Sequence, residues 1–129
     1  LSHQQLDDII DYCLRSGIDG IVAGNTTRSR DGITSISKEK IEAIGNGGMS
    51  GAPIYKKNLE LVKYVHTKSE GKLPIIGVGG IMSPEDAKEM IDAGASLVEI
   101  YSGFIYEGPG LIKKIIKHLE KEQSANETV

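Results

Sequence analysis

The sequence predicts an α/β fold in which about three β/α units set parallel strands side by side. Three observations carry this reading. Apolar stripes of helical period alternate with short apolar runs that lack polar alternation, the habit of strands buried on both faces in parallel sheets. The stretches between the runs are long enough for crossover helices, which parallel pairing requires. Each apolar run ends in small residues, at the position where parallel α/β folds bind ligands.

The elements follow in chain order. A helix is expected from about Gln4 to Arg15, because Ser2 and Gln5 have capping-box spacing and Leu6, Ile9, Ile10, Cys13 and Leu14 form one apolar stripe. Gly17 sits where a left-handed cap ends such a helix. Gly20-Ile21-Val22-Ala23-Gly24 reads as the first strand. A stretch from Asn25 to Lys57 follows, with a short helix expected near Lys38 to Ala43 and a glycine-rich end, Gly45-Asn46-Gly47-Gly48-Met49-Ser50-Gly51. A structureless loop of that length is rare in a compact domain unless it is functional.

The second unit is a helix from Asn58 to Lys68, then the strand Pro74-Ile75-Ile76-Gly77-Val78. Ser83-Pro84-Glu85-Asp86 opens the next helix with an N-cap serine, proline in the first turn and acids suited to the helix dipole. Ala87, Met90 and Ile91 form its buried face, and Ser96 to Tyr101 is the third strand. Gly108-Pro109 opens a last helix with Leu111, Ile112, Ile115, Ile116 and Leu119 facing inward. Residues 1–122 form the folded part, and Gln123 to Val129 reads as a polar tail.

Composition excludes several classes of function. The chain has 129 residues, 39% of them hydrophobic, and a formal net charge of −3, which is no electrostatic footprint for nucleic acid. No apolar run approaches a membrane span, and a single cysteine rules out an internal disulfide and a CxxC metal site. Three parallel strands cannot close a barrel. They form either a small open sheet or the last part of a (β/α)8 barrel, which takes about 250 residues, roughly twice this length. With Leu1 in place of a start methionine, the count points to a piece of a longer protein.

The candidate chemistry gathers at the strand ends: Gly24, Asn25, Thr26 and Thr27 after the first, Gly77 to Gly80 after the second, Tyr101, Ser102 and Gly103 after the third. Paired glycines let backbone N–H groups approach a phosphate closely; equally, they serve a tight turn that needs positive φ. Met82 stands where the dinucleotide fingerprint needs its last glycine, which argues against a Rossmann site. Asn25 with Thr26 offers donors and acceptors to a small heterocycle, or else caps its own turn. Arg28 and Arg30 are either carboxylate ligands or solvated. His3, His66 and His118 fall on helices away from the strand ends, Cys13 on a buried stripe, and Glu99 mid-strand facing either a barrel interior or the helix layer. No Ser–His–Asp arrangement or metal-ligand spacing is present.

Four stretches in order resemble the C-terminal portion of dihydroorotate dehydrogenase: Gly17 to Arg30, Gly47 to Pro53, Pro74 to Ile81 and Ala93 to Gly103. The Asn-Thr-Thr-x-x-Arg form, Asn25 to Arg30, is similar to the class 2, quinone-dependent branch. The resemblance runs from about Leu6 to Lys121 and implies the C-terminal portion of a (β/α)8 TIM barrel. It implies an FMN oxidoreductase that converts dihydroorotate to orotate in pyrimidine biosynthesis, with quinone as electron acceptor. Asn25 and Thr26 become substrate contacts, Gly24 a backbone contact to the flavin, and Ser50 and Gly51 the pair lying against it. Val78, Gly79, Gly80, Tyr101 and Ser102 become the phosphate cradle. Ser102 stands where many members have threonine, and Gly24 where serine or threonine is common.

The resemblance also implies what these residues lack. The catalytic serine base, a flavin-facing lysine and several substrate asparagines belong to earlier strands of the barrel. Helices earlier still reach the membrane, peripherally on its cytoplasmic side, and admit quinone. No catalytic residue, metal ligand or membrane-contacting stretch is therefore expected here. Two other readings stand beside this one: a non-catalytic phosphate-binding or self-associating piece, a homo-oligomer through open barrel edges, and another FMN or phosphate-binding TIM-barrel enzyme.

Overall fold

The computed structural model describes residues 1–31, 33 and 36–126; positions 32, 34 and 35 of the long stretch and 127–129 of the expected tail lie outside the described residues. Helix α1 (His3–Ser16) begins as its sequence dictates. The Ser2 hydroxyl accepts from the Gln5 N–H at 3.2 Å and the Gln5 side chain accepts from the Ser2 N–H at 2.8 Å. It ends at Gly17, φ 69°, in the left-handed conformation. Strand β1 (Ile21–Ala23), helix α2 (Lys38–Ile44), a 3-10 turn (Ala52–Ile54) and helix α3 (Tyr55–Lys68) follow. Strand β2 (Ile75–Val78), helix α4 (Pro84–Asp92), strand β3 (Leu97–Glu99), helix α5 (Ser102–Glu107) and helix α6 (Gly110–Asn126) complete the order.

The three strands form one parallel sheet in sequence order, as the crossover argument requires. Ile21 pairs with Ile75 and Ala23 with Gly77; Ile76 pairs with Leu97 and Val78 with Glu99. The register sorts side chains by face. Ala23, Ile75 and Gly77 are buried beneath the helices, while Val22 on β1 is 53% exposed and Leu97 on β3 is 62% exposed. The expectation of burial on both faces is thus corrected: the apolar runs have a helix layer on one side only, and three strands leave the other side uncovered. Glu99 shares that exposed face with Leu97, which settles its direction.

The core lies between the sheet and its helices. Ile10 and Cys13 of α1, Leu59, Val62 and Val65 of α3, Ala87 and Met90 of α4, and Leu111 and Ile115 of α6 close over Ile75. Each large side chain among them contributes about 1.5–3 kcal/mol by leaving water. Gly77 is part of that packing, because a Cβ there would lie 2.5 Å from Cγ of Met90. On α6, Ile112 and Ile116 are 42% and 51% exposed and line an apolar groove with Leu97, Ile100 and Leu119 along the β3 edge. They do not face the core as expected, because no further strand among the described residues covers that edge. Helix α6 also runs on to Asn126, through the start of the expected polar tail.

Helix α1 is clasped to α3 by polar contacts. The Tyr64 hydroxyl donates to Asp7 at 2.5 Å, Lys68 Nζ lies 3.0 Å from the same carboxylate, and the His3 ring meets Tyr64 edge-on at 4.9 Å. The Tyr64 hydrogen bond, then Lys68, hold the Asp7 carboxyl below its usual range. No helix among the described residues is long and apolar enough to cross a membrane.

Candidate functional site

All three strands end on the same side of the sheet, so the loops after them meet. After β1, the chain makes a local turn in which the Thr26 N–H donates to Oδ1 of Asn25 at 2.7 Å. That uses the carboxamide oxygen; among the described residues no hydrogen bond uses its Nδ2. Thr27 forms an antiparallel bridge with Met49, with N–H to carbonyl distances of 3.1 and 2.8 Å. Arg30 adds bonds from its guanidinium to the carbonyls of Thr27, at 3.1 Å, and of Gly47. Two of its donors are thus committed to backbone carbonyls rather than left to solvent. It clasps the base of the loop and brings the glycine-rich end back to the strand end.

The loop then delivers Ser50 and Gly51 to the end of β3. Ser102 Oγ donates to Ser50 Oγ at 3.0 Å, a contact between residues 52 positions apart. Ser102 is the first residue of α5, where N–H groups have no intrahelical acceptor. Tyr101, just before it, is 78% exposed. The sequence reading missed α5 because its six residues carry no side-chain cap bond and follow directly on the run expected as the third strand, which ends at Glu99.

After β2, Gly79 and Gly80 have φ of 108° and 82°, a region that glycine enters without steric cost. Both are also hemmed in. A Cβ on Gly80 would lie 2.6 Å from the backbone N and Cα of Tyr55, and one on Gly79 would lie 2.1 Å from Nδ2 of Asn58. Val78 is half-buried beside them. At Gly24 the resemblance suggested only a missing hydroxyl. Here a Cβ would sit 1.9 Å from the Val78 carbonyl oxygen, so the strand end has closed into the space a side chain would need.

Two residues that the sequence reading passed over hold this end together. Asn58, 3% exposed, accepts from the Asn25 N–H and donates to the Asn25 carbonyl, each at 3.5 Å. The Tyr55 hydroxyl lies 2.9 Å from both the Asp86 carbonyl and Oε2 of Glu89, tying α3 to α4. Burial, and then the bond to Glu89, push its phenol above the ordinary range, so it is a fixed donor at neutral pH. Placing the start of α3 three residues late hid Tyr55, and an amide's burial among distant residues has no local sequence signal.

The structure thus gathers Asn25, Thr26, Ser50, Gly51, Gly79, Gly80 and Ser102 at one end of the sheet, with Gly24 and Val78 beneath them. The donors are uncharged: three hydroxyls, a carboxamide and backbone N–H groups at positive-φ glycines and a helix start. Such a set suits a compact oxyanion such as a phosphate monoester. Among the described residues no cluster of His, Cys, Asp and Glu could hold a metal ion.

The dihydroorotate dehydrogenase family model matches residues 1–122. The chain is 49% identical over 122 residues to a dihydroorotate dehydrogenase (quinone) of Christiangramia forsetii, covering 94% of this chain and 34% of the relative. It is 45% identical over 119 residues to the protein of that name in Edwardsiella ictaluri, covering 92% and 34%. A solved DHODH of Eimeria tenella in complex with ferulenol superposes with a TM-score of 0.85 at 32% identity, covering 99% of this chain and 33% of that one. The ligand-free structure from the same organism gives 0.82 at 34% identity, covering 92% and 32%. The chain therefore spans about a third of the length of the relatives it matches. With these neighbours, its three parallel β/α units are a portion of a (β/α)8 barrel.

Proposed function

This chain belongs to the dihydroorotate dehydrogenase family, and from that membership we propose that it forms the C-terminal part of the barrel of a quinone-linked enzyme converting dihydroorotate to orotate in pyrimidine biosynthesis. When bound, FMN supplies the hydride acceptor and the route to quinone. The observation that carries the reading is the Ser50–Ser102 hydroxyl pair, which brings the long loop back to the end of β3; it supports a flavin-side pair set beside a phosphate-side hydroxyl.

Within that site the chain's own residues bind and orient. Gly79, Gly80, Ser102 and the backbone beside Val78 and Tyr101 hold the FMN phosphate through N–H and hydroxyl donors, and Ser50 and Gly51 lie against the flavin. The Asn25 Nδ2, which makes no hydrogen bond among the described residues, and the Thr26 hydroxyl take the amide and carboxylate edges of the substrate ring, and the Gly24 backbone contacts the flavin. The proton leaving the substrate ring goes to a base in barrel strands that have no counterpart among these 129 residues.

The test separates the two ligands. In the flavin-bearing protein, Asn25→Ala weakens orotate binding, read by the perturbation of the flavin spectrum, and leaves flavin retention intact. Ser102→Ala does the reverse. If neither substitution changes either affinity, the site is elsewhere and the reading fails.

A second reading has its own observation. Val22, Leu97, Ile112 and Ile116 leave an apolar face and edge exposed on these strands, which favours coverage by a second copy when the 129 residues are expressed alone. Size-exclusion chromatography of that chain across a dilution series decides between a dimer and a monomer.

A further inference from the structure

The loops after β1 and β2 are given separate tasks above, substrate and phosphate, yet one buried side chain touches both. Asn58 lies in the first turn of α3 and is 3% exposed. Its carboxamide faces the Asn25 backbone as another strand would, oxygen toward the N–H and nitrogen toward the carbonyl, both at 3.5 Å. β1 has ended at Ala23, so this amide continues its edge by one more reciprocal pair. The same nitrogen occupies the space that a Cβ on Gly79 would fill.

We propose that Asn58 is a positioning residue that locks the strand end carrying Asn25 to the turn carrying Gly79, and so fixes the distance between the substrate contacts and the phosphate contacts. The proposal rests on the functional reading above. Each bond is long, so neither alone accounts for the effect. What matters is that a buried amide has both polar ends satisfied by one residue 33 positions away. An apolar side chain of the same size would leave the Asn25 N–H and carbonyl without these partners, and the strand end would be free to move.

The experiment uses the flavin-bearing protein, three principal variants and an Asn58→Ala background for the last of them. Asn58→Leu keeps the branched shape and removes both bonds. Asn58→Asp keeps the shape and the acceptor. Gly79→Ala presses on the amide nitrogen from the other side. Amide hydrogen exchange at Asn25 and Thr26, compared with exchange in the core of α3, reads the geometry without any ligand. Orotate titration against the flavin spectrum reads its consequence.

Asn58→Leu is expected to speed exchange at Asn25 and weaken orotate about tenfold, with core exchange unchanged, and Asn58→Asp, which keeps the acceptor for the Asn25 N–H but sets an oxygen against the Asn25 carbonyl, to restore only part of the Asn25 protection. The harm done by Gly79→Ala is expected to shrink in an Asn58→Ala background, which relieves the collision while leaving the backbone strain. Unchanged exchange at Asn25 in Asn58→Leu overturns the proposal. So does faster exchange with unchanged orotate affinity. A wild-type protein that binds no orotate instead overturns the functional reading, and the exchange data then decide alone whether Asn58 holds the strand end.

Discussion

Gly80→Ala isolates the close approach between the β2 turn and α3. Two costs arise. The residue has φ 82°, where an alanine pays about 1 kcal/mol relative to glycine. Its Cβ would also stand 2.6 Å from both N and Cα of Tyr55, about 0.8 Å inside ordinary contact. Those atoms are backbone at the start of a helix, and the Tyr55 hydroxyl is held at Asp86 and Glu89, so the neighbour cannot rotate away. Overpacking of this kind costs about 1–3 kcal/mol. Gly17→Ala is the control: φ is 69° and no atom lies within 4 Å of the added Cβ, so only the backbone term remains. Equilibrium urea unfolding should show Gly80→Ala destabilised by about 2–4 kcal/mol and Gly17→Ala by about 1. In melting temperature that is about 10 °C against about 3 °C. Equal costs in the two variants would refute the argument that Gly80 is there for contact rather than for conformation alone.

Other outcomes follow from the same structure. Met90→Ala empties a fully buried site against Gly77 and should cost about 2–5 kcal/mol by chemical denaturation, with an unchanged m-value. Ser102→Ala should leave stability within about 0.5 kcal/mol but release FMN about tenfold more readily, followed by flavin fluorescence. The Asp7 clasp predicts a pH dependence. Its carboxyl is held low, so its stabilisation is present above the ordinary carboxylate pKa and fades as pH falls through the lowered value. Lys68 and Tyr64 are raised, so their contribution holds below their unfolded pKa values and fades as pH rises through the raised ones. Asp7→Asn should flatten the acid limb of a stability–pH profile between about pH 5 and pH 2 relative to the parent chain.

Local signals were enough for most of the elements. The capping pairs Ser2–Gln5 and Ser83–Asp86 sit in sequence three residues apart, and both form. The apolar runs marked all three strands, because a strand in a parallel sheet needs little more than branched apolar residues over a few positions. What the pattern could not reveal was which faces are covered. Val22 and Ile116 are as apolar as Ile75 and Ile115, yet half of their surface is open, since coverage depends on which neighbours are present. The site divides the same way. Asn25, Ser50, Gly79 and Ser102 belong to recognisable motifs, and the structure brings them together. Asn58 and Arg30 act through backbone atoms, and only the folded chain shows which carbonyls they reach.

The strand register also sets an order of assembly. Joining Ile76 to Leu97 closes a short loop through α4, whereas joining Ile21 to Ile75 closes one more than twice as long through α2 and α3. The longer closure carries an extra entropic cost of about 0.8 kcal/mol before any contact is made. β2, α4 and β3 are therefore expected to form first, with β1 docking onto the surface they build. The strand that arrives last leads into Asn25 and Thr26, so the bonds between Asn25 and the Asn58 amide of α3 close only when β1 docks. Substitutions at Asn58 should then quicken unfolding while leaving the folding rate nearly unchanged, the kinetic mark of a latch set after the transition state.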